Sequence, residues 1–174
     1  MQAIVAPFEE SQLPRIAQLI GKTNQFNLTT HRHGMSQLEA FVRDTSYVHL
    51  ALRLRDRYAE HGLVSVMIAR HQGEILDIDT WLMSCRVIGR TVETTMLDHL
   101  CRRAAQLGCT SPRGTYIPTE KNAMAADAYA KCGFERGSHH EGQEIWTYSL
   151  RVKGMIVNEF VKTVEFWEVG DGAA

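Results

Sequence analysis

The chain has 174 residues, 44% hydrophobic and 22% charged, with a formal net charge of -1 from 19 basic and 20 acidic side chains. This length suits one domain with a sizeable core, and the composition excludes an intrinsically disordered chain. The near-neutral balance lacks the basic excess of a polyanion binder, so neither nucleic acid nor an anionic membrane is an expected partner. The opening "MQAIVAPFEES" has no basic run, apolar core and cleavage site, and no later stretch is apolar for long enough to cross a bilayer. A cytoplasmic protein is expected.

In chain order, "SQLPRIAQLIGKTNQ" spaces Leu13, Ile16, Ala17, Leu19 and Ile20 as a helix, with Ser11 as candidate N-cap and Pro14 early enough to be tolerated. A second, shorter helix is predicted over "SQLEAFVRD", where Ser36 and Glu39 have capping-box spacing. "YVHLALRLR" alternates apolar and polar residues as a strand does; "LVSVMIARHQG" and "EILDIDTWLM" follow as two more, giving an antiparallel meander. Val92, Met96, Leu100 and Ala104 then mark the longest helix, closed by Gly108. A strand "RGTYIP", a helix "NAMAADAYAKC" and a hairpin "FERGSHHEGQEIWTYSL" complete the pattern, while the tail from Arg151 suits helix or strand. One domain over 1–150 is expected, with 151–174 as its C-terminal extension.

The turn between third strand and long helix, "SCRVIGRT", is polar in an apolar neighbourhood. A helix N-terminus leaves backbone N–H groups free and carries partial positive charge, so a strand running directly into one makes an anion site. Here Arg86, Val87, Gly89, Arg90 and Thr91 would supply close backbone approach, two cations and a hydroxyl, suited to a pyrophosphate. The alternative is a simple turn with solvated arginines. In the later helix Asn122 and Tyr129 share a face, and a phenol there could protonate a departing thiolate, unless it is a core tyrosine.

Both segments resemble the GNAT superfamily of acyltransferases: "RVIGRT" is similar to its Q/R-x-x-G-x-G/A loop, with Thr91 in place of a small residue, and "NAMAADAYAKCGF" to its N-x-x-A-x-x-x-Y-x-x-x-G-F segment. The resemblance implies an α+β fold, a mixed, mostly antiparallel sheet flanked by helices, and coenzyme A binding at the loop. "LIGKTNQFNLTT", "ALRLRDRY", "GLVSVMIARHQG", "DTWLMSCRVIGR" and "YIPTEKNAMAADAYAKCGF" more closely resemble the C-terminal GNAT-type domain of FkbH-like proteins. That resemblance implies acyl transfer onto the phosphopantetheine thiol of an acyl carrier protein in polyketide biosynthesis. In that family the domain follows a phosphatase-type domain; "DIDTW" is no such motif, because Asp77 and Asp79 lie inside a strand. A free-standing or excised unit is expected, its acyl group coming from a separate phosphatase-type acyl-donor protein or a coenzyme A thioester.

Acyl transfer between thiols needs a nucleophilic thiolate, donors for the developing oxyanion and an acid for the departing sulfur. Cys85 is the candidate nucleophile, at the strand end where Arg86 and the helix N-terminus would favour a thiolate, with a space-filling role as the alternative. Cys101, Cys109 and Cys132 read as packing residues. Tyr129 is the candidate acid; in the alternative of direct attack by an acceptor amine or thiol, Asp79, Thr80 or His31 would help remove its proton. Asn122 is assigned a combined role, contacting pantetheine and capping its helix. No metal site is expected, since neither the cysteines nor His31, His33, His139 and His140 have ligand spacing. The competing functions are N-acetyl transfer from acetyl coenzyme A to a small amine and a catalytically silent carrier-docking module.

Overall fold

The computed structural model describes residues 2–57, 59–158 and 162–165. Its strands are β1 (Gln2–Ala6), β2 (Tyr47–Arg55), β3 (Glu60–Gln72), β4 (Ile75–Met83), β5 (Ser111–Tyr116), β6 (Glu135–His140), β7 (Gln143–Thr147) and β8 (Lys162–Glu165). They form one sheet in the order β6-β7-β5-β4-β3-β2-β1-β8, antiparallel except for the β4–β5 and β1–β8 pairs. The helices are α1 (Leu13–Lys22), α2 (Met35–Arg43), α3 (Val92–Gln106), α4 (Ala128–Lys131) and α5 (Leu150–Lys153). The fold class is therefore the expected one, and the meander β2–β3–β4 falls where period-two alternation puts it.

The two faces of the sheet bury separate apolar layers. Ile16 and Ile20 of α1 and Leu38 of α2 pack on Val66, Ile68 and Leu82. On the other face Val92, Met96 and Leu100 of α3 join Met67, Ala69, Ile78 and Trp81, with Tyr129 beside them. Burying a side chain of this size contributes roughly 1.5–3 kcal/mol each, so this double layer carries most of the fold's stability.

Several local expectations change. Ser11 does not cap α1: it sits within a preceding 3-10 turn, and Gln12 is the N-cap, with no side-chain bond. α2 begins one residue earlier than Ser36, with Gly34 as N-cap and its N–H donating to the Gln37 side chain at 3.1 Å. The single helix expected over "NAMAADAYAKC" is instead a 3-10 turn at Ala123–Ala125 followed by α4. Part of the tail is β8, paired with β1; residues 166–174 lie outside the described residues.

Two irregularities position the candidate site. In the β3–β4 pair Ile68 faces Thr80 and Ala69 faces Ile78, so Asp79 is the extra residue of a bulge, a device that re-aims side chains. The β4–β5 pair covers only Ile75–Ile78 against Ser111–Gly114. Beyond it the segment 26–29 fills the gap: Leu28 N–H donates to Trp81 O at 3.1 Å, Met83 N–H to Phe26 O at 3.0 Å and Ile117 N–H to Leu28 O at 2.8 Å.

Candidate functional site

Because residues 26–29 are stitched to β4, the loop that follows is delivered to the bulge. Thr29 donates its hydroxyl to the Asp79 carbonyl at 2.8 Å, and Thr30, at φ 61, turns the chain while its N–H bonds the Asn27 side chain at 2.9 Å. His31 Nδ1 then stands 3.2 Å from Asp79 Oδ1, and His33 Nε2 2.9 Å from Asp79 Oδ2. The buried Thr80 donates to the same Oδ2 at 2.7 Å, and its hydroxyl lies 2.8 Å from His33 Nε2.

Burial alone would raise the Asp79 carboxyl, but hydrogen bonds from His31, His33 and Thr80, aided by the charge of His31, outweigh it and hold the group well below the usual carboxylate range. The Asp79 bond raises His31 above its ordinary value against an opposing burial effect. Asp79 thus binds the Nδ1 side of His31 and leaves Nε2 as the proton-accepting atom, the arrangement of a carboxylate–imidazole base. The imidazole is 46% exposed and borders a polar pocket of ≈ 240 Å³ that Arg70, Asp77, Thr115 and Gln143 also line. Arg113 neutralises Asp77 through two bonds of 2.9 and 2.7 Å.

The elbow lies at the far end of β4. From Asp79 to Met83 the strand advances about 13 Å at its usual rise. Gly89 and Thr91 have φ of 76 and 63, and no side chain among the described residues caps the N-terminus of α3. Arg86 and Arg90 are exposed and form no ion pair among the described residues. Two details differ from an open phosphate cradle. Glu93 places its carboxylate 2.7 Å from Gly89 N, and the Thr91 hydroxyl donates to Arg90 O at 2.6 Å instead of facing outward. A cleft of ≈ 190 Å³ runs from Ile88 and Gly89 to α4, walled by Phe26, Thr94, Ala128 and Cys132.

The remaining expected site residues take other roles or positions. The Val87 side chain is fully buried in the core and unavailable to a cofactor, and its N–H already donates to Ser84 O at 3.1 Å. Cys85 is exposed, in a broad depression with Arg15, Lys22 and Arg86, and is not adjacent to the His31–Asp79 pair. Tyr129 is completely enclosed against Trp81, Phe134 and Trp146, where burial raises its phenol. A Cβ on Gly114 would overlap its ring and hydroxyl, so Gly114 is what admits it. This is the core reading of Tyr129; an enclosed phenol reaches no leaving group.

Asn122 likewise has no polar atom left for pantetheine. Its amide donates to Asn27 O and Ile117 O at 2.9 Å each, and its oxygen accepts from Thr119 N at 2.8 Å and Tyr116 Oη at 3.3 Å. It occupies the N-cap position of the 3-10 turn without a side-chain cap bond, and its amide instead ties segment 26–29 to the loop after β5. His33 is the residue that sequence reasoning missed as part of the site.

The sequence matches no known protein family and no curated protein. Similarity lies in the three-dimensional arrangement, which is the fold of GNAT acetyltransferases. The ribosomal-protein-S18-alanine N-acetyltransferase from Escherichia coli superposes with a TM-score of 0.64 at 11% identity, covering 91% of this chain and 97% of that one. The GNAT domain of S. lividans PAT gives 0.67 at 14% identity over 84% and 89%. The PaiA N-acetyltransferase from Thermoplasma acidophilum, solved with coenzyme A, gives 0.62 at 11% identity over 86% and 99%. No helix among the described residues is long and apolar enough to cross a membrane.

Proposed function

We propose that the protein is an acyltransferase that moves a small acyl group to or from a pantetheine thioester, with His31 as the base. The observation that carries this reading is the placement along one strand of two complementary centres. The Asp79-held imidazole marks the bulge of β4, and the arginine-flanked N-terminus of α3 follows the strand's end. The second would hold the phosphate-bearing end of coenzyme A or of a carrier protein's phosphopantetheine, and no metal is needed for this chemistry.

In this mechanism His31 Nε2 takes the proton of the attacking thiol or amine as that atom bonds to the thioester carbonyl carbon. The tetrahedral adduct then collapses, the C–S bond breaks, and the departing thiolate receives the proton back from His31. Residues 26–29 stay paired with β4 throughout, because they deliver His31 to the bulge, so the pantetheine arm passes outside them. Glu93 is displaced from Gly89 by the incoming phosphate.

The motifs similar to FkbH-like proteins favour an acyl carrier protein in polyketide or related natural-product assembly as the partner, with a separate phosphatase-type protein as acyl donor. The polar pocket beside His31 favours a second reading, acetyl transfer from acetyl coenzyme A to a small amine. Intact-mass measurement after incubation of acyl-CoA with holo-carrier and with an amine panel separates them. Acylated carrier supports the first and acetylated amine the second. If wild type acylates neither while still binding holo-carrier, the protein is a docking module. His31→Gln should lower turnover by about 10²–10⁴ with little change in KM.

A further inference from the structure

We propose that His31, His33 and Asp79 form a binding site for one divalent transition-metal ion of the zinc or cobalt kind. Their ligand atoms, His31 Nδ1, His33 Nε2 and a carboxylate oxygen of Asp79, all lie within 4.8 Å of one another. His31 Nδ1 lies 3.2 Å from Asp79 Oδ1 and His33 Nε2 2.9 Å from Asp79 Oδ2, one imidazole on each carboxylate oxygen. Four donors around zinc at about 2.0–2.1 Å stand roughly 3.3 Å apart when tetrahedral, and side-chain rotation within the 4.8 Å grouping would bring the three donors to that spacing. Two imidazoles and one carboxylate suit zinc, cobalt or iron(II) better than magnesium or calcium, which prefer oxygen alone.

The donors are also held in advance. The His33 ring is seated edge-on against Phe41, centroids 5.0 Å apart at 90°, and its side chain is only 9% exposed. Thr80 fixes one Asp79 oxygen and Thr29 the Asp79 backbone carbonyl, supports of the kind that orient metal ligands. The half-exposed His31 and the polar pocket beside it give an ion an entry path and leave a coordination position for water or a ligand oxygen, the mark of an open site.

Binding has a definite proton balance. The metal takes the nitrogen lone pairs that face Asp79, so in neutral His31 the proton moves to Nε2. In His33 it moves to Nδ1, which is buried without a partner. Leaving that donor unsatisfied opposes binding, so affinity falls below that of a closed structural zinc site. Because the metal occupies Nδ1 and the proton Nε2, occupancy and the base role of His31 exclude each other. The site itself does not rest on the acyl-transfer reading.

The test is titration of chelator-stripped protein with Co²⁺, followed by visible d–d absorption, and with Zn²⁺, followed by calorimetry. One equivalent is expected, with cobalt bands intensified by a four- or five-coordinate nitrogen–oxygen environment. His31→Ala and His33→Ala should each weaken binding by at least tenfold, while His61→Ala, in the separate His61–Asp56 pair of 2.8 Å, should leave it unchanged. His31 is half exposed on a loop, so its variant keeps the fold, checked by circular dichroism. No saturable binding by wild type, or binding of equal strength in His31→Ala, would overturn the proposal.

Discussion

His33 Nε2 lies 2.9 Å from Asp79 Oδ2, across forty-six positions of sequence, and joins a half-buried carboxylate to an almost buried imidazole. With His31 and Thr80, His33 makes Asp79 the acceptor for three side-chain donors. Asp79→Asn replaces one acceptor oxygen by a donor and sets it against groups that also donate. Urea unfolding should show a loss of about 1–3 kcal/mol, whereas Asp77→Asn, whose amide oxygen can still accept from Arg113, should lose less. Equal losses would place the histidines outside the carboxylate's energetics.

Gly114 and Tyr129 occupy one space. Gly114→Ala should destabilise by about 1–3 kcal/mol through overpacking, and Tyr129→Leu in the same chain should recover part of that loss. Additive losses in thermal or urea unfolding would contradict the overlap.

Asn122 uses its full hydrogen-bonding capacity to tie residues 26–29 to the loop after β5. Asn122→Ala should cost about 3 kcal/mol and speed hydrogen exchange of the Leu28 and Ile117 amides more than that of β3 amides. Uniform acceleration across the sheet would contradict a local tie.

Burial lowers His99 to about 4, with Asp98 opposing and Arg102 adding to the shift. Between the ordinary value of 6.5 and about 4, the unfolded chain binds a proton that the folded chain does not. Stability contributed by keeping this imidazole neutral is therefore present above pH 6.5 and is lost as pH falls through that window. Denaturant midpoints measured across it should decline on acidification, and the decline should shrink in His99→Phe.

Cys85 is the exposed cysteine, whereas burial raises Cys101 to about 12 and Cys132 to about 11. A maleimide should therefore add once to the native protein, at Cys85, by peptide mass mapping. Rapid addition at Cys132 would show the cleft beside α4 to be more open than its walls allow.

The sequence makes the frame legible because β2 alternates with period two, α3 repeats Val92, Met96 and Leu100 along one stripe, and the positive φ at Glu141 and Gly142 closes the hairpin that follows β6. Asp79, Thr80 and His31 could be picked out as chemistry-bearing residues, but not their grouping. Alternation does not disclose the bulge at Asp79, and the local pattern of "THRH" does not disclose that segment 26–29 pairs with β4. Asn122 and Tyr129 fit a family pattern by spacing, yet their surroundings are set by residues far away in sequence, Asn27 and Gly114. The break between Ala125 and Ala128 was hidden for the same reason, since an alanine-rich run satisfies helix propensity wherever tertiary bonds end it.

On the proposed reading, the turn from Arg86 to Thr91, with the start of α3, receives the phosphate-bearing end of a pantetheine thioester. Isothermal titration of coenzyme A into wild type and into Arg86→Ala/Arg90→Ala tests it most directly. Saturable binding weakened by about tenfold or more in the double variant, as loss of charge-assisted bonds requires, is the predicted result. Equal affinity in both proteins, or no binding of either coenzyme A or holo-carrier to wild type, would contradict it.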